Sequence, residues 1–180
     1  MIVFDLDGTL ANCEHRRRFV DPEKCGDSLR KIIQNDGTYK YKHYNGNPWQ
    51  PDWKAFHKAC DKDEPIVPVI ALTQNMIETG ETVSIWSGRC ESVKDKTEQW
   101  LEENGVCYDW LKMRPIGDYT PDDHLKERWL NERCADHVEK QGLGIEHDIT
   151  CVFEDRPKVI RMWRRRGIFV FNCAQNDEEL

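Results

Sequence analysis

Short apolar runs alternate with amphipathic stretches along most of the chain. Residues 2–6 read as a buried strand, and 82–86, 110–113, 149–153 and 168–171 repeat the pattern. Between them, Ile66, Val69, Ile70, Thr73, Met76 and Ile77 recur at helical spacing, with Gly80 as a stop. Val93, Trp100 and Leu101 mark a second helix ended by Asn104-Gly105. Leu125, Trp129 and Val138 mark a long third, started by Thr120-Pro121-Asp122. Val159, Ile160, Met162 and Trp163 mark a fourth, closed by Gly167. Strands that alternate with helices form a parallel sheet covered on both faces. The expected fold is therefore α/β, a Rossmann-like parallel sheet of about five strands.

Residues 11–64 interrupt this rhythm, being far too long for an ordinary strand-to-helix connection. They carry signals of their own. Asp36-Gly37 and Asn45-Gly46 are turn dipeptides around residues 38–44, an alternating aromatic and basic run that reads as a strand. Residues 52–60 read as a helix with Trp53, Phe56 and Cys60 on one face. The segment is a small cap-like insertion after the first strand, inside a single domain spanning 1–180. In Tyr39-Lys40-Tyr41-Lys42-His43-Tyr44 the tyrosines are expected to cover a small core, which leaves a lysine face for phosphate. Cys13, His15, Cys25, His57 and Cys60 offer only two loose ligand pairs, so packing explains Cys60 better than zinc. Residues 175–180 read as a loose tail.

Charge narrows the classes of function. The 180 residues carry 33 acidic and 26 basic side chains, a net charge of −7. That balance excludes a protein that coats long nucleic acid by neutralising phosphates. It leaves room for local grip, because residues 11–60 hold ten Lys or Arg against six Asp or Glu. Seven tryptophans, six phenylalanines and five tyrosines argue against disorder. No apolar run approaches the roughly 20 residues of a membrane span. Eight cysteines without a Cys-x-x-Cys pair, behind no signal peptide, read as reduced thiols in a cytoplasm.

The chemistry concentrates in Phe4-Asp5-Leu6-Asp7-Gly8-Thr9-Leu10, at the end of the first strand. Ligands of parallel α/β sheets bind beyond the carboxyl ends of the strands. Two carboxylates converging there require a cation, and hard oxygen ligands favour Mg²⁺. Gly8 lets the chain turn while its amide approaches an anion.

Asp-x-Asp-Gly-Thr after an apolar strand resembles the first motif of the haloacid dehalogenase-like superfamily. Ser87 in Ser87-Gly88-Arg89, Lys126, and the pair Glu154-Asp155 stand where its second, third and fourth motifs belong. A narrower likeness, carried by Ser87-Gly88-Arg89, Asp122-Asp123-x-x-Lys126 and Glu154-Asp155-Arg156-Pro157, is to the phosphatase domain of bacteriophage-type polynucleotide kinase. Glu154 departs from that family, which has Asp there. No kinase segment precedes Met1, so kinase activity is expected to be absent or on another chain. The resemblance implies a Mg²⁺-dependent phosphomonoesterase that removes 3′-phosphates from polynucleotide ends. A nucleotidase acting on mononucleotides and a non-catalytic binder of phosphorylated ends are the alternatives, and a separate kinase or ligase is the implied partner.

The same resemblance assigns roles. Asp5 would be the nucleophile and Asp7 the general acid and base. Asp5, Asp155 and the Asp7 carbonyl would hold Mg²⁺, with Glu154 beside them acting through water or Lys126. Lys126 would supply fixed charge, while Ser87, Gly88, Gly8 and Thr9 bind phosphate. Arg89 and Arg16 match the family's catalytic arginines, although Arg16-Arg17-Arg18 also reads as a solvated basic edge. Asp122 reads first as a helix cap and second as a family-matched catalytic residue.

Overall fold

The computed structural model describes residues 1–26, 29–141 and 148–174. In chain order the elements are β1 (Ile2–Phe4), β2 (Ala11–Asn12), β3 (Leu29–Ile33), β4 (Tyr39–His43) and α1 (Trp53–Lys58). There follow β5 (Glu64–Pro65), α2 (Val67–Glu78), β6 (Val83–Cys90), α3 (Lys94–Glu103) and β7 (Trp110–Arg114). The chain ends with α4 (Asp122–Gln141), β8 (Cys151–Glu154), α5 (Pro157–Arg165) and β9 (Phe169–Asn172). The expected tail at 175–180 lies outside the described residues. No helix among the described residues is long and apolar enough to cross a membrane.

The chain divides into two compact units, Cys13–Asp63 and the remainder. In the larger unit five parallel strands run in the order β7-β6-β1-β8-β9. The α/β expectation is met, and β1 becomes the switch point, with β6 on one side and β8 on the other. Burial on both faces explains why Ile2, Val3 and Phe4 are an unbroken apolar run. Ile2 and Phe4 join a core with Ile70, Trp100 and Leu101, which come from α2 and α3. Val3 faces the other way, into Leu125, Trp129, Ile160, Met162 and Trp163 from α4 and α5. Phe4, Phe153 and Phe171 stack across three strands, with centroids 4.4 and 4.7 Å apart.

The smaller unit holds the antiparallel β3–β4 hairpin, α1 and a 3₁₀ turn at Glu14–Phe19. Asp52 caps α1, its Oδ1 accepting the Ala55 N–H at 2.9 Å. Tyr39 and Tyr44 do not cover a core here: they are 53% and 61% exposed. A two-stranded ribbon has too little area to bury both faces, and on it only Leu29, Tyr41 and His43 are half-buried.

Candidate active site

β1 ends where the chemistry begins. The Asp5 N–H donates to the Phe153 carbonyl at 2.9 Å, which carries the β1–β8 ladder one residue past Phe4. The chain then folds back, with the N–H groups of Thr9, Leu10 and Ala11 converging on the Leu6 carbonyl at 3.3, 2.9 and 2.9 Å. Gly8, at φ +95°, makes this turn possible. A Cβ on Gly8 would stand 2.1 Å from Asp155 Oδ2, so glycine is required by space as well as by backbone conformation.

Asp5 is buried and accepts a hydrogen bond from Lys126 Nζ. Lys126, also buried, projects from the first turns of α4 and donates to Glu154 Oε2 at 2.8 Å. The other oxygen of Glu154 accepts the N–H groups of Asp155 and Arg156 at 3.2 and 3.1 Å. Glu154 thus holds Lys126 and shapes the turn after β8, and both its oxygens are engaged.

Asp122 is corrected from helix cap to site residue. It is the first residue of α4, and its carboxylate accepts from Arg114 and Arg156 rather than from helix amides, each at 3.2 Å. Lys126 Nζ lies 3.8 Å from it. Gly88 makes room for this group, since a Cβ there would come within 2.5 Å of Asp122 Oδ1.

Ser87, Gly88 and Arg89 stay within β6, which runs past the expected end at 86. Its pairing with β7 shifts register between Ser87 and Cys90, an irregularity of the kind that re-aims side chains beside active sites. Ser87 Oγ accepts the Arg89 N–H at 3.1 Å, which leaves its own proton to donate elsewhere. Arg89 Nε donates to Asp7 Oδ1 at 2.7 Å. Thr9 is buried, and its hydroxyl has no hydrogen-bond partner among the described residues.

Charge does not balance in this cluster. Arg114 and Arg156 pair with Asp122, Lys126 pairs with Asp5 and Glu154, and Asp155 adds one more negative charge. Burial, then Glu154, pushes the Asp5 carboxyl well above its usual range. Burial lifts Glu154 to about 7 against the pull of Lys126, and burial with Asp5 lifts Asp155 to about 7. Burial opposes the charge on Lys126, yet Asp5 and Glu154 outweigh it and raise its pKa. Oxygens of Asp5, Glu154 and Asp155 lie within 4.8 Å of one another. Asp155 Oδ1 is buried with no hydrogen-bond partner among the described residues. An all-oxygen donor set, an excess of negative charge and a buried acceptor without a donor fit a hard divalent cation such as Mg²⁺.

Arg16 lies in the smaller unit. It is buried, its guanidinium forked on Asp63 through two 2.7 Å bonds and stacked 4.1 Å from the Phe56 ring centre. His15 Nε2 stands 2.9 Å from the same carboxylate. Asp63, Arg114 and Arg156 are the polar residues that sequence reasoning gave no role. Only Arg156, next to Asp155, lay within a recognisable motif.

Comparison with known proteins places this geometry in a class. A haloacid dehalogenase-like family hydrolase from Streptococcus pneumoniae superposes with a TM-score of 0.54 at 12% identity, over 95% of this chain and 82% of its own. A chain of the Pnkp1/Rnl/Hen1 complex gives 0.62 at 22% identity, over 98% of this chain and 46% of its own. The fold is that of the haloacid dehalogenase-like phosphatases. Residues 32–177 match the family described as the polynucleotide kinase PNKP phosphatase domain, and the chain belongs to that family. The match takes in Ser87, Lys126 and Asp155 and begins after Asp5 and Asp7. A protein of Autographa californica nuclear polyhedrosis virus, described as a bifunctional polynucleotide kinase/RNA ligase, is 26% identical over 132 residues. Those residues are 72% of this chain and 18% of the viral one, so the chain spans less than a fifth of that relative.

Proposed function

We propose that this phosphatase is a Mg²⁺-dependent polynucleotide 3′-phosphatase acting through an aspartyl-phosphate on Asp5. One observation carries the reading: a buried carboxylate, Asp5, is held by Lys126 among more carboxylates than the local cations can neutralise. Mg²⁺ would be held by Asp5, Asp155 and the Asp7 carbonyl. When bound it supplies the positive charge that lets an anionic phosphate approach an anionic nucleophile.

The residues divide the work. The Asp5 carboxylate attacks phosphorus and the bond from phosphorus to the leaving oxygen breaks. Asp7 gives its proton to the departing alkoxide. Asp7 then takes a proton from water, whose oxygen attacks phosphorus; the bond to Asp5 breaks and inorganic phosphate leaves. Lys126 keeps a positive charge against Asp5 and the phosphoryl oxygens, and Ser87, Thr9 and the Gly8 and Gly88 backbone contact the phosphate. Arg89 holds Asp7 in place, and Glu154 keeps Lys126 oriented. Arg16, held by Asp63 within the smaller unit, matches a family arginine, and its variant separates a part in the reaction from a structural one.

Support for a polynucleotide substrate comes from the family match and from the names of the viral kinase/ligase and the RNA repair complex. A kinase or ligase working on the same ends is the corresponding partner. The deciding experiment compares 3′-phosphorylated oligonucleotides, 5′-phosphorylated oligonucleotides and 3′- and 5′-mononucleotides under identical Mg²⁺. The expected order puts the 3′-phosphorylated oligonucleotide first in kcat/KM; equal or faster turnover of mononucleotides would overturn it. Asp5→Asn is expected to abolish phosphate release from an activated aryl phosphate, and retained release would remove Asp5 as nucleophile.

A further inference from the structure

The β3–β4 hairpin has two unlike faces. On one, Lys31 Nζ and Tyr41 Oη both donate to Glu23 Oε1, at 3.0 and 2.8 Å, and Lys31 lies 4.2 Å from the Tyr39 ring centre. The other face carries Arg30, Ile32, Lys40 and Lys42, with Tyr44 just beyond. The register sets Arg30 directly opposite Lys42, and Ile32 opposite Lys40. Like charges directly opposite one another weaken an antiparallel pair. No carboxylate relieves them: neither Lys40 nor Lys42 has a side-chain hydrogen bond or ion pair among the described residues. The neighbour of Arg30 is the Tyr44 ring, whose centre is 4.7 Å from Cζ. Asp36, at the hairpin tip, is occupied by the N–H and hydroxyl of Thr38 at 3.0 and 2.6 Å. Around the hairpin the unit Cys13–Asp63 carries eleven Lys or Arg against eight Asp or Glu, in a chain whose net charge is −7.

Repulsion on an open ribbon is relieved by a polyanion, and an exposed ring among cations adds a surface for a base. Alternating cations and aromatic rings are how sequence-tolerant single-strand binders follow a backbone and stack its bases. We propose that this face binds single-stranded polynucleotide, with Arg30, Lys40 and Lys42 on phosphates and Tyr44 stacked on a base. The proposal rests on the reading of the chain as a polynucleotide end phosphatase.

The test is fluorescence anisotropy of the full chain with a labelled single strand of about 12 nucleotides ending in a 3′-hydroxyl, across a range of salt. Lys40→Gln with Lys42→Gln is expected to reduce the slope of log K against log salt by about 1.4, close to 0.7 per lost phosphate contact. Tyr44→Ala should weaken binding about tenfold and Tyr44→Trp should retain it. Lys42→Glu exchanges repulsion for attraction, so it should keep or raise the melting temperature while binding falls by about tenfold or more. That pairing of a preserved fold with lost binding separates recognition from misfolding. An unchanged salt slope in the double variant overturns the proposal. So does equally tight binding to vesicles containing phosphatidylserine, which would make the occupant a lipid surface. A chain that binds the strand but releases no phosphate from 3′-phosphorylated ends keeps this inference and removes the 3′-phosphatase reading. A chain that releases that phosphate, with hairpin variants binding like the parent, does the reverse.

Discussion

Each unit buries an ion cluster, and the two are built to opposite ends. In the smaller unit one guanidinium meets one carboxylate: the side chains of Arg16 and Asp63 are fully buried in a bidentate pair, and the guanidinium lies over the Phe56 ring. The two charges cancel inside the fold, with His15 Nε2 2.9 Å from the same carboxylate. In the larger unit Lys126 pairs with both Asp5 and Glu154, and beside them Asp155 Oδ1 has no hydrogen-bond donor among the described residues. A balanced buried pair shapes a fold, whereas an unbalanced one holds a place for something charged to arrive.

That contrast can be broken most forcefully at Lys126. Lys126→Ala leaves buried Asp5 and Glu154 without their ammonium, and kcat on any phosphomonoester is expected to fall by roughly 10³-fold or more. The metal-free protein should also lose about 3–5 kcal/mol of stability, part of which Mg²⁺ restores. Melting with and without Mg²⁺ checks this, and no rescue would mean the cluster does not take the cation.

Arg16→Ala comes next. It strands Asp63 in the interior, at an expected cost of about 3–5 kcal/mol, with no rescue by Mg²⁺. Adding Asp63→Ala should recover part of the loss in a double-mutant cycle. A large fall in kcat at an unchanged melting temperature would instead place Arg16 at the reacting phosphate.

The pH response is smaller and has a definite sign. In the metal-free fold Glu154 and Asp155 are lifted to about 7, mainly by burial, above their unfolded values near 4. They bind protons more tightly folded than unfolded, so their contribution is full below about pH 4 and lost as pH rises through 7. The melting temperature in EDTA should therefore drop by roughly 5–10 °C between pH 5 and 8, and added Mg²⁺ should recover most at pH 8. A flat profile in EDTA would contradict the excess of charge. The smallest effect belongs to the exposed pair Lys24–Glu14, on the same unit as Arg16. Lys24→Ala should cost less than about 1 kcal/mol, and salt should erase it.

Legibility followed the same division. The sheet was readable because β1 and β8 are buried on both faces and so are continuous apolar runs, and because α5 repeats its apolar residues at helical spacing. Asp5 and Asp7 stood out at the end of the first strand, and Ser87, Lys126 and Glu154-Asp155 through their likeness to the superfamily's later motifs, although Ser87 lies inside β6 rather than at its end. Asp122 looked like a cap, since an acid after Thr-Pro at a helix start has that local use; only the approach of Arg114 and Arg156 changes its role. β3 went unseen because Leu29-Arg30-Lys31-Ile32-Ile33 shows no two-residue alternation. The tyrosine run was legible as a strand but not as an exposed one, because burial depends on what packs above it.

Sequence by itself determined the α/β class, the place of the first strand at the centre of the chemistry, and most of the charged groups gathered there. The class and the place of the first strand follow from periodicity and from where strands must end, whereas the charged groups beyond Asp5 and Asp7 were legible through the resemblance to the superfamily's motifs. Tertiary structure alone decided which charges cancel. It gave Asp63 to Arg16, Glu154 to Lys126 and two arginines to Asp122, and among the described residues it left Asp155 Oδ1 and the side chains of Lys40 and Lys42 without a hydrogen-bond partner. Pairing depends on distances between residues far apart in the chain, and no periodicity encodes those.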